Sequence, residues 1–352
     1  MTFYPGPSQL YPQIAEYLRD AYESGLLSAN HRSPVFMELV RETDALLREK
    51  LAIPADYSVY FVSSATECWE IIAQSLTGRG SVHFFNGAFG QKWAEYAGKL
   101  HEKTEAVAFD LDESLTHRDD FDFLAYDQYD VVCLTQNETS NGTQIRDLSG
   151  FQNLTGLKCI DATSSMAGVD FDWSLGDVWF ASVQKCFGLP AGLALLVCSP
   201  KALRHAEMLG ERDHYNSLLF IDDNARKFQT HYTPNGLGIY LLNRVMQQVP
   251  PIAEVATRLR QRAAEWYRFL EKETSWQPLV KNPAVRSDTV IAIEGNPEEI
   301  KAVKQRCAEV GSTLGNGYGV WKDTTFRIAN FPAIESEAIE KLKKIRISPL
   351  LP

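Results

Sequence analysis

Four short apolar runs in this chain each end on side chains with chemical capacity. SVYFV is followed by Ser63, Ser64, Ala65 and Thr66; DVVCLTQ by Asn137, Glu138 and Thr139; LKCI by Asp161, Ala162 and Thr163; and DVWFAS by Val183, Gln184 and Lys185. A lysine amine attacks carbonyl carbons and carries protons once its surroundings lower its pKa. A carboxylate in the same cleft stabilises a cation. The SSAT segment opens the helical stretch ECWEIIAQSL and offers backbone N–H groups and small hydroxyls to an anion. Singly, each has a plainer use: the Ser/Thr-rich start as a helix cap, the aspartate as a turn residue, the lysine as a solvated charge.

Taken in order, the set fits chemistry on pyridoxal 5'-phosphate. That cofactor requires a lysine to form a Schiff base and move protons, a role that suits Lys185. It also requires a carboxylate that keeps the pyridine nitrogen protonated, a role that suits Asp161.

These residues must be positioned by the elements before them. From residue 58 the chain alternates SVYFV, SVHFF, DVVCLTQ, LKCIDA, DVWFAS and GLALLVC with polar turns and helical stretches. Apolar runs separated by helices imply parallel strands covered on both faces, hence a doubly wound α/β sheet with ligands at the carboxyl ends of its strands. Upstream, residues 11–23 and the segment after NHRSPVF read as helices. Downstream of Pro250 and Pro251, residues 252–273 form a long helical pattern. Then RSDTVIAIEG, PEEIKAVKQRCAEVG, TTFRIANF and ESEAIEKLKKIRI give strand, helix, strand, helix. The expected organisation is a large α/β domain over 16–250 and a small α+β domain made of 1–15 with 251–352.

At 352 residues and 45% hydrophobic content the chain has material for a large core. Its net charge of −10, from 45 acids against 35 basic residues that are scattered, argues against a nucleic-acid binder. The cysteines at 68, 133, 159, 186, 198 and 307 lie far apart, with no CxxC pair or metal-like spacing to histidine, and read as reduced core thiols. The start MTFYPGPSQLYP has no charged segment followed by an apolar one, and GLALLVC is too short to span a bilayer, so a cytoplasmic, membrane-free protein is expected.

PGPSQLYP, NHRSPVF, QNETSNG, DATSS, SVQKCFGLPAG and HYTPNGLGIYLL, in that order over nearly the whole chain, resemble the class V aminotransferases of pyridoxal-phosphate fold type I, most closely the phosphoserine aminotransferases. The resemblance implies a large, mostly parallel sheet domain with a small α+β domain, and amino transfer between an amino acid and a 2-oxo acid. It makes Lys185 the Schiff-base lysine, pairs Asp161 with the pyridine nitrogen and sets Thr139 on the cofactor's phenolic oxygen. Ala65 and Thr66 match the phosphate loop, with Gln184 and Thr163 beside them, and Phe89 in NGAFGQKW matches the aromatic that stacks on the cofactor. It further implies a homodimer with shared sites, in which His31, Arg32 and Thr233 come from the partner, and it makes Arg327 in TTFRIANF the grip on the substrate carboxylate.

The chain departs from that family at Phe89, where phosphoserine aminotransferases usually have tryptophan, and in two places that bear on the substrate. Thr66 stands where phosphoserine aminotransferases usually carry arginine, and NGYGVWKDTTFR lacks their His-Arg pair, leaving Tyr318, Gly319, Trp321 and Lys322 nearby. Serine, alanine or glyoxylate therefore stay open as substrates. A lyase or desulfurase of the same fold would need a mobile cysteine, but Cys307 sits inside a helical pattern. A catalytically silent binding protein is disfavoured by Lys185 and Asp161, and a nicotinamide-binding protein by the absence of GxGxxG after the first strand.

Overall fold

The computed structural model describes residues 1–115 and 123–344. Its centre is a seven-stranded sheet in the order Ser58–Val62, Ala194–Cys198, Val178–Ser182, Leu157–Asp161, Val131–Thr135, Ser81–Phe85 and Thr104–Ala108. All run in one direction except Ala194–Cys198, which is antiparallel to both neighbours. The expectation that the GLALLVC run continues the parallel series is thereby corrected. The connection over 183–193 holds no helix, and a chain without a crossover returns antiparallel.

The unbroken apolar runs arise because successive side chains enter two different cores. Tyr60, Val62, Cys133, Cys159 and Phe180 pack with the helices Ala65–Ser75, Pro200–Leu209 and Leu218–Ala225. Val59, Phe61, Leu134, Ile160 and Trp179 pack with Pro34–Leu51, Gly236–Gln248 and Ile252–Glu273. The strand Thr104–Ala108 is absent from the sequence expectation. It is an edge strand whose residues stay half-buried or exposed, so its sequence TEAVA carries no apolar run.

A second sheet has the order Thr2–Phe3, Thr313–Asn316, Thr325–Ala329, Val290–Glu294 and Gln277–Pro278. The segment Thr2–Phe3 pairs in parallel with Thr313 and Leu314, so residues from the first and last parts of the described chain share one sheet. The helix Ile252–Glu273 buries Ile252, Val255, Leu259, Ala263, Trp266 and Leu270, a stripe at helical spacing. Its buried Arg262 donates to Asn330 Oδ1 at 2.6 Å and to the carbonyls of Ile334 and Phe331 at 2.6 and 2.8 Å. Among the described residues no helix is long and apolar enough to cross a membrane, and no group of metal-ligating side chains gathers.

Two relationships prepare the site. The carboxyl ends of three adjacent parallel strands come level, Thr135 opposite Asp161 and Asp161 opposite Phe180. The segment after Thr2–Phe3 then runs across them, with the Ser8 N–H donating to the Gln184 carbonyl at 3.0 Å.

Candidate active site

A cavity of about 470 Å3 opens at those strand ends, and its wall includes Ala65, Thr66, Phe89, Thr139, Asp161, Thr163, Gln184 and Lys185. Residues separated by more than a hundred positions meet because each ends or follows a neighbouring strand, or begins the helix after one.

Lys185 follows the strand Val178–Ser182 and is buried. Its Nζ donates to Thr139 Oγ1 at 2.6 Å and lies 5.2 Å from the centre of the Phe89 ring. Burial pulls its pKa down to about 8, with Asp161 and then Glu138 acting in the opposite direction. Gly6 packs against this lysine: a Cβ there would sit 2.9 Å from Lys185 Cε, and its φ of +143° is a conformation glycine tolerates.

Asp161 ends its strand buried, with Oδ1 accepting the Thr163 N–H at 2.9 Å. Burial raises its carboxyl pKa, opposed by Thr163 and then by the Lys185 charge. The helix Ala65–Ser75 starts beside it. Ser64 Oγ caps the helix by accepting from the Glu67 N–H at 3.0 Å, and the Ala65 N–H donates to Ser182 Oγ at 2.8 Å, which ties the helix start to the strand that carries Lys185.

Glu138 stands in the sequence only as one of the polar residues after DVVCLTQ, with no role assigned. It is buried, and its carboxylate accepts the N–H groups of Phe89 at 3.1 Å, Gly90 at 3.2 Å and Ser140 at 2.8 Å. Ser140 Oγ takes the Ala88 N–H at 3.0 Å. The helix Ala88–Leu100 is thus capped by the hairpin that bears Thr139, not by its own N-cap residue Gly87. A Cβ at position 87 would stand 2.3 Å from Glu138 Cγ, so glycine is what lets the two elements close.

Arg327 lies on the central strand of the second sheet and is only 3% exposed, not a surface arginine on an edge strand. Its Nη1 donates to the Thr139 carbonyl at 2.6 Å and its Nε to the Asn316 carbonyl at 2.7 Å, which sets it behind Thr139. His31, Arg32 and Thr233 do not reach the cavity of their own chain; Arg32 and Thr233 are exposed. The wall also holds residues the sequence reading missed, among them Lys92, Glu70, Tyr96 and Trp69. Lys92 was legible in one respect: it stands three positions after Phe89 on one helix, so both share a face.

The wall suits a phosphorylated pyridine aldehyde. It has a buried amine of lowered pKa and, on the same wall, a buried carboxylate whose near cation is that same amine, already donating to Thr139. A ring cation would give Asp161 the partner its burial calls for. Thr135 Oγ1, level with Asp161, is buried without a hydrogen-bond partner among the described residues and leaves a further hydroxyl in the wall.

A doubly wound sheet with lysine and aspartate at adjacent strand ends defines an enzyme class, and the sequence profile of aminotransferase class-V matches residues 3–320. The chain belongs to the class-V aminotransferase family. It is 28% identical over 349 residues to the phosphoserine aminotransferase of Corynebacterium glutamicum, covering 96% of this chain and 91% of that one. The crystal structure of a phosphoserine aminotransferase from Cytophaga hutchinsonii superimposes with a TM-score of 0.89 at 31% identity, covering 98% of both chains. The pyridoxamine-pyruvate aminotransferase of Mesorhizobium loti has a TM-score of 0.82 at 17% identity, covering 98% of this chain and 90% of that one, a likeness of fold alone.

Proposed function

We propose that this chain transfers an amino group between an amino acid of the phosphoserine or glutamate type and a 2-oxo acid, with pyridoxal 5'-phosphate held by Lys185. The observation that carries the reading is the buried Lys185 amine, brought down to about 8 by burial, in one cavity with the buried Asp161.

When bound, the cofactor supplies an electron sink for the pair released at the substrate's α-carbon. Asp161 would hold a proton on the ring nitrogen, since a buried carboxylate prefers a hydrogen-bonded cation to standing alone. Lys185, with a pKa near neutrality, can accept a proton at Nζ and return it, the matching of pKa to operating pH that general base catalysis favours. Thr139 orients that Nζ, and Phe89 offers an aromatic face. Ala65 and Thr66, in the first turn of their helix, are suited to the phosphate, with Thr163 and Gln184 on the wall beside them. Arg327 would take the substrate's α-carboxylate. Its fork donates to two carbonyls only, and among the described residues it forms no ion pair. His31, Arg32 and Thr233 would enter from a partner chain across a two-fold axis.

A sulfur-removing reading is disfavoured because each of the six cysteines is free and buried, and burial pushes the Cys307 thiol up to about 11.

The test is the visible spectrum of the protein with pyridoxal 5'-phosphate before and after L-glutamate or O-phosphoserine, with Lys185→Ala as control. A long-wavelength band that depends on Lys185, disappears with a donor and returns with a 2-oxo acid is expected. No such band, or a band unaltered by every amino acid offered, would overturn the reading.

A further inference from the structure

A second constellation is built on two residues of the cavity wall, Phe89 and Lys92. Lys92 Nζ donates to Tyr318 Oη at 2.9 Å and lies 5.3 Å from the centre of that ring. Tyr318 stacks on Phe89 with ring centres 5.1 Å apart and planes 24° from parallel, and the Arg327 guanidinium lies 5.5 Å from the centre of the Tyr318 ring. Lys92 belongs to a helix flanking the large sheet, whereas Tyr318 comes just after the strand Thr313–Asn316 of the second sheet. The hydrogen bond between them therefore links a helix of the large sheet to a loop of the second sheet, beside the cavity wall.

Two cations stand on the cavity wall, Lys185 and Lys92. Lys185 is directed to Thr139, which leaves Lys92 as the further cation that this chain itself places on the wall. Its amine forms no ion pair among the described residues; the acid on the same wall, Glu70, is not bonded to it. Phe89 lies near both groups, with Lys185 Nζ 5.2 Å from its ring centre and Tyr318, the partner of Lys92, stacked 5.1 Å away. A substrate whose α-carbon lies at Lys185 and whose side chain runs along the wall past the edge of Phe89 would bring its far end toward Lys92, which lines the same cavity.

We infer that Lys92, held in place by Tyr318, is the specificity residue that receives the anionic end of the substrate side chain, a phosphate monoester or a carboxylate. The inference rests on the amino-transfer reading and names the substrate class of that same site. An ammonium supplies point charge to either anion, and the tyrosine hydroxyl fixes its position and can add a hydrogen bond of its own.

The test uses the holoenzyme with Lys92→Met, Lys92→Arg and Tyr318→Phe, and O-phosphoserine, L-glutamate and L-alanine as donors. Lys92→Met is expected to raise KM for the anionic donors about tenfold or more, the equivalent of one charge-assisted hydrogen bond, with kcat and the alanine reaction little changed. Lys92→Arg restores most of that loss, and Tyr318→Phe causes a smaller rise. The larger KM change between O-phosphoserine and L-glutamate identifies which anion the pair serves. Calorimetric titration of the holoenzyme with inorganic phosphate is independent of turnover, and weaker binding by Lys92→Met is expected. KM values for both anionic donors within about twofold of wild type, or an equal rise for alanine, would overturn the inference. Equal phosphate affinity in wild type and Lys92→Met would overturn it whatever the spectra show. A wild-type protein that converts no donor but binds phosphate through Lys92 would instead count against the amino-transfer reading alone.

Discussion

The Glu138 carboxylate accepts the backbone N–H of Phe89 at 3.1 Å, and through this contact two parts of the cavity wall are held to one another. Glu138 sits on the hairpin of Asn137–Glu138 with Thr143–Gln144, next to Thr139, the partner of Lys185. Phe89 sits on the first turn of the helix that also carries Lys92. One buried acid thereby sets the spacing between the lysine's hydrogen-bond partner and the aromatic wall, without lining the cavity itself.

Replacing Glu138 with alanine leaves three buried N–H groups without an acceptor and opens a gap against Gly87. The expected cost is about 2–4 kcal/mol of stability, read as a lower denaturant midpoint with the cofactor absent. Glu138→Gln keeps one acceptor oxygen and is expected to lie between the two. If Glu138→Ala unfolds at the wild-type midpoint, the capping role is wrong.

The Lys185 amine gives a pH dependence with a definite sign. Its pKa falls from 10.5 to about 8 on burial. Since only the unprotonated amine attacks a carbonyl, capture of pyridoxal 5'-phosphate by the cofactor-free protein is expected to quicken about tenfold per pH unit below 8 and level off above it. For stability, the unfolded chain holds the extra proton between pH 8 and 10.5, so the contribution of this residue rises with pH across that window. Lys185→Met is expected to abolish both slopes, and stopped-flow absorbance together with thermal melts across pH reads them.

Asp161 is predicted to favour the cofactor at the expense of the empty fold. Burial raises its carboxyl pKa above 3.8, so the folded state holds the extra proton in the window above 3.8, and stability falls as pH rises through it. Asp161→Asn removes that charge and is expected to melt no lower than wild type when the cofactor is absent at neutral pH. The same change is expected to weaken cofactor affinity about tenfold or more, as loss of a charge-assisted partner does. It also removes the Asp161 charge that raises the Lys185 pKa, so the midpoint for cofactor capture is expected below about 8. Unchanged cofactor affinity would separate Asp161 from the ring nitrogen.

Much of this geometry was legible because strands buried on both faces announce themselves as apolar runs, and the residues just after each run must lie at a strand end. Asp161 and Lys185 were readable in this way. The antiparallel course of Ala194–Cys198 was not, since direction depends on the connection and not on the strand's composition. Thr104–Ala108 escaped because an edge strand can be half-exposed and still pair. Glu138 follows an apolar run like the other candidates, but only the fold brings it under the helix start at 88–90. The meeting of Lys92 with Tyr318 is longer-ranged still. They are 226 positions apart, and no local pattern encodes how a helix on one sheet meets a loop on another.

The last prediction concerns His31, Arg32 and Thr233, which stand outside the cavity of their own chain. If they complete the partner's site, Lys185→Ala and Arg32→Ala damage different chains of the same site. A dimer containing one chain of each then has one site with both changes and one with neither. Unfolding the two variants together and refolding them is expected to give about a quarter of wild-type activity, since half of the dimers are mixed and each mixed dimer has one intact site. Either variant refolded alone supplies the baseline, and the same mixing with Thr233→Ala reports on that residue separately. Activity no greater than the average of the two baselines would mean that Arg32 does not act across the interface. The shared-site arrangement would then need a different set of residues.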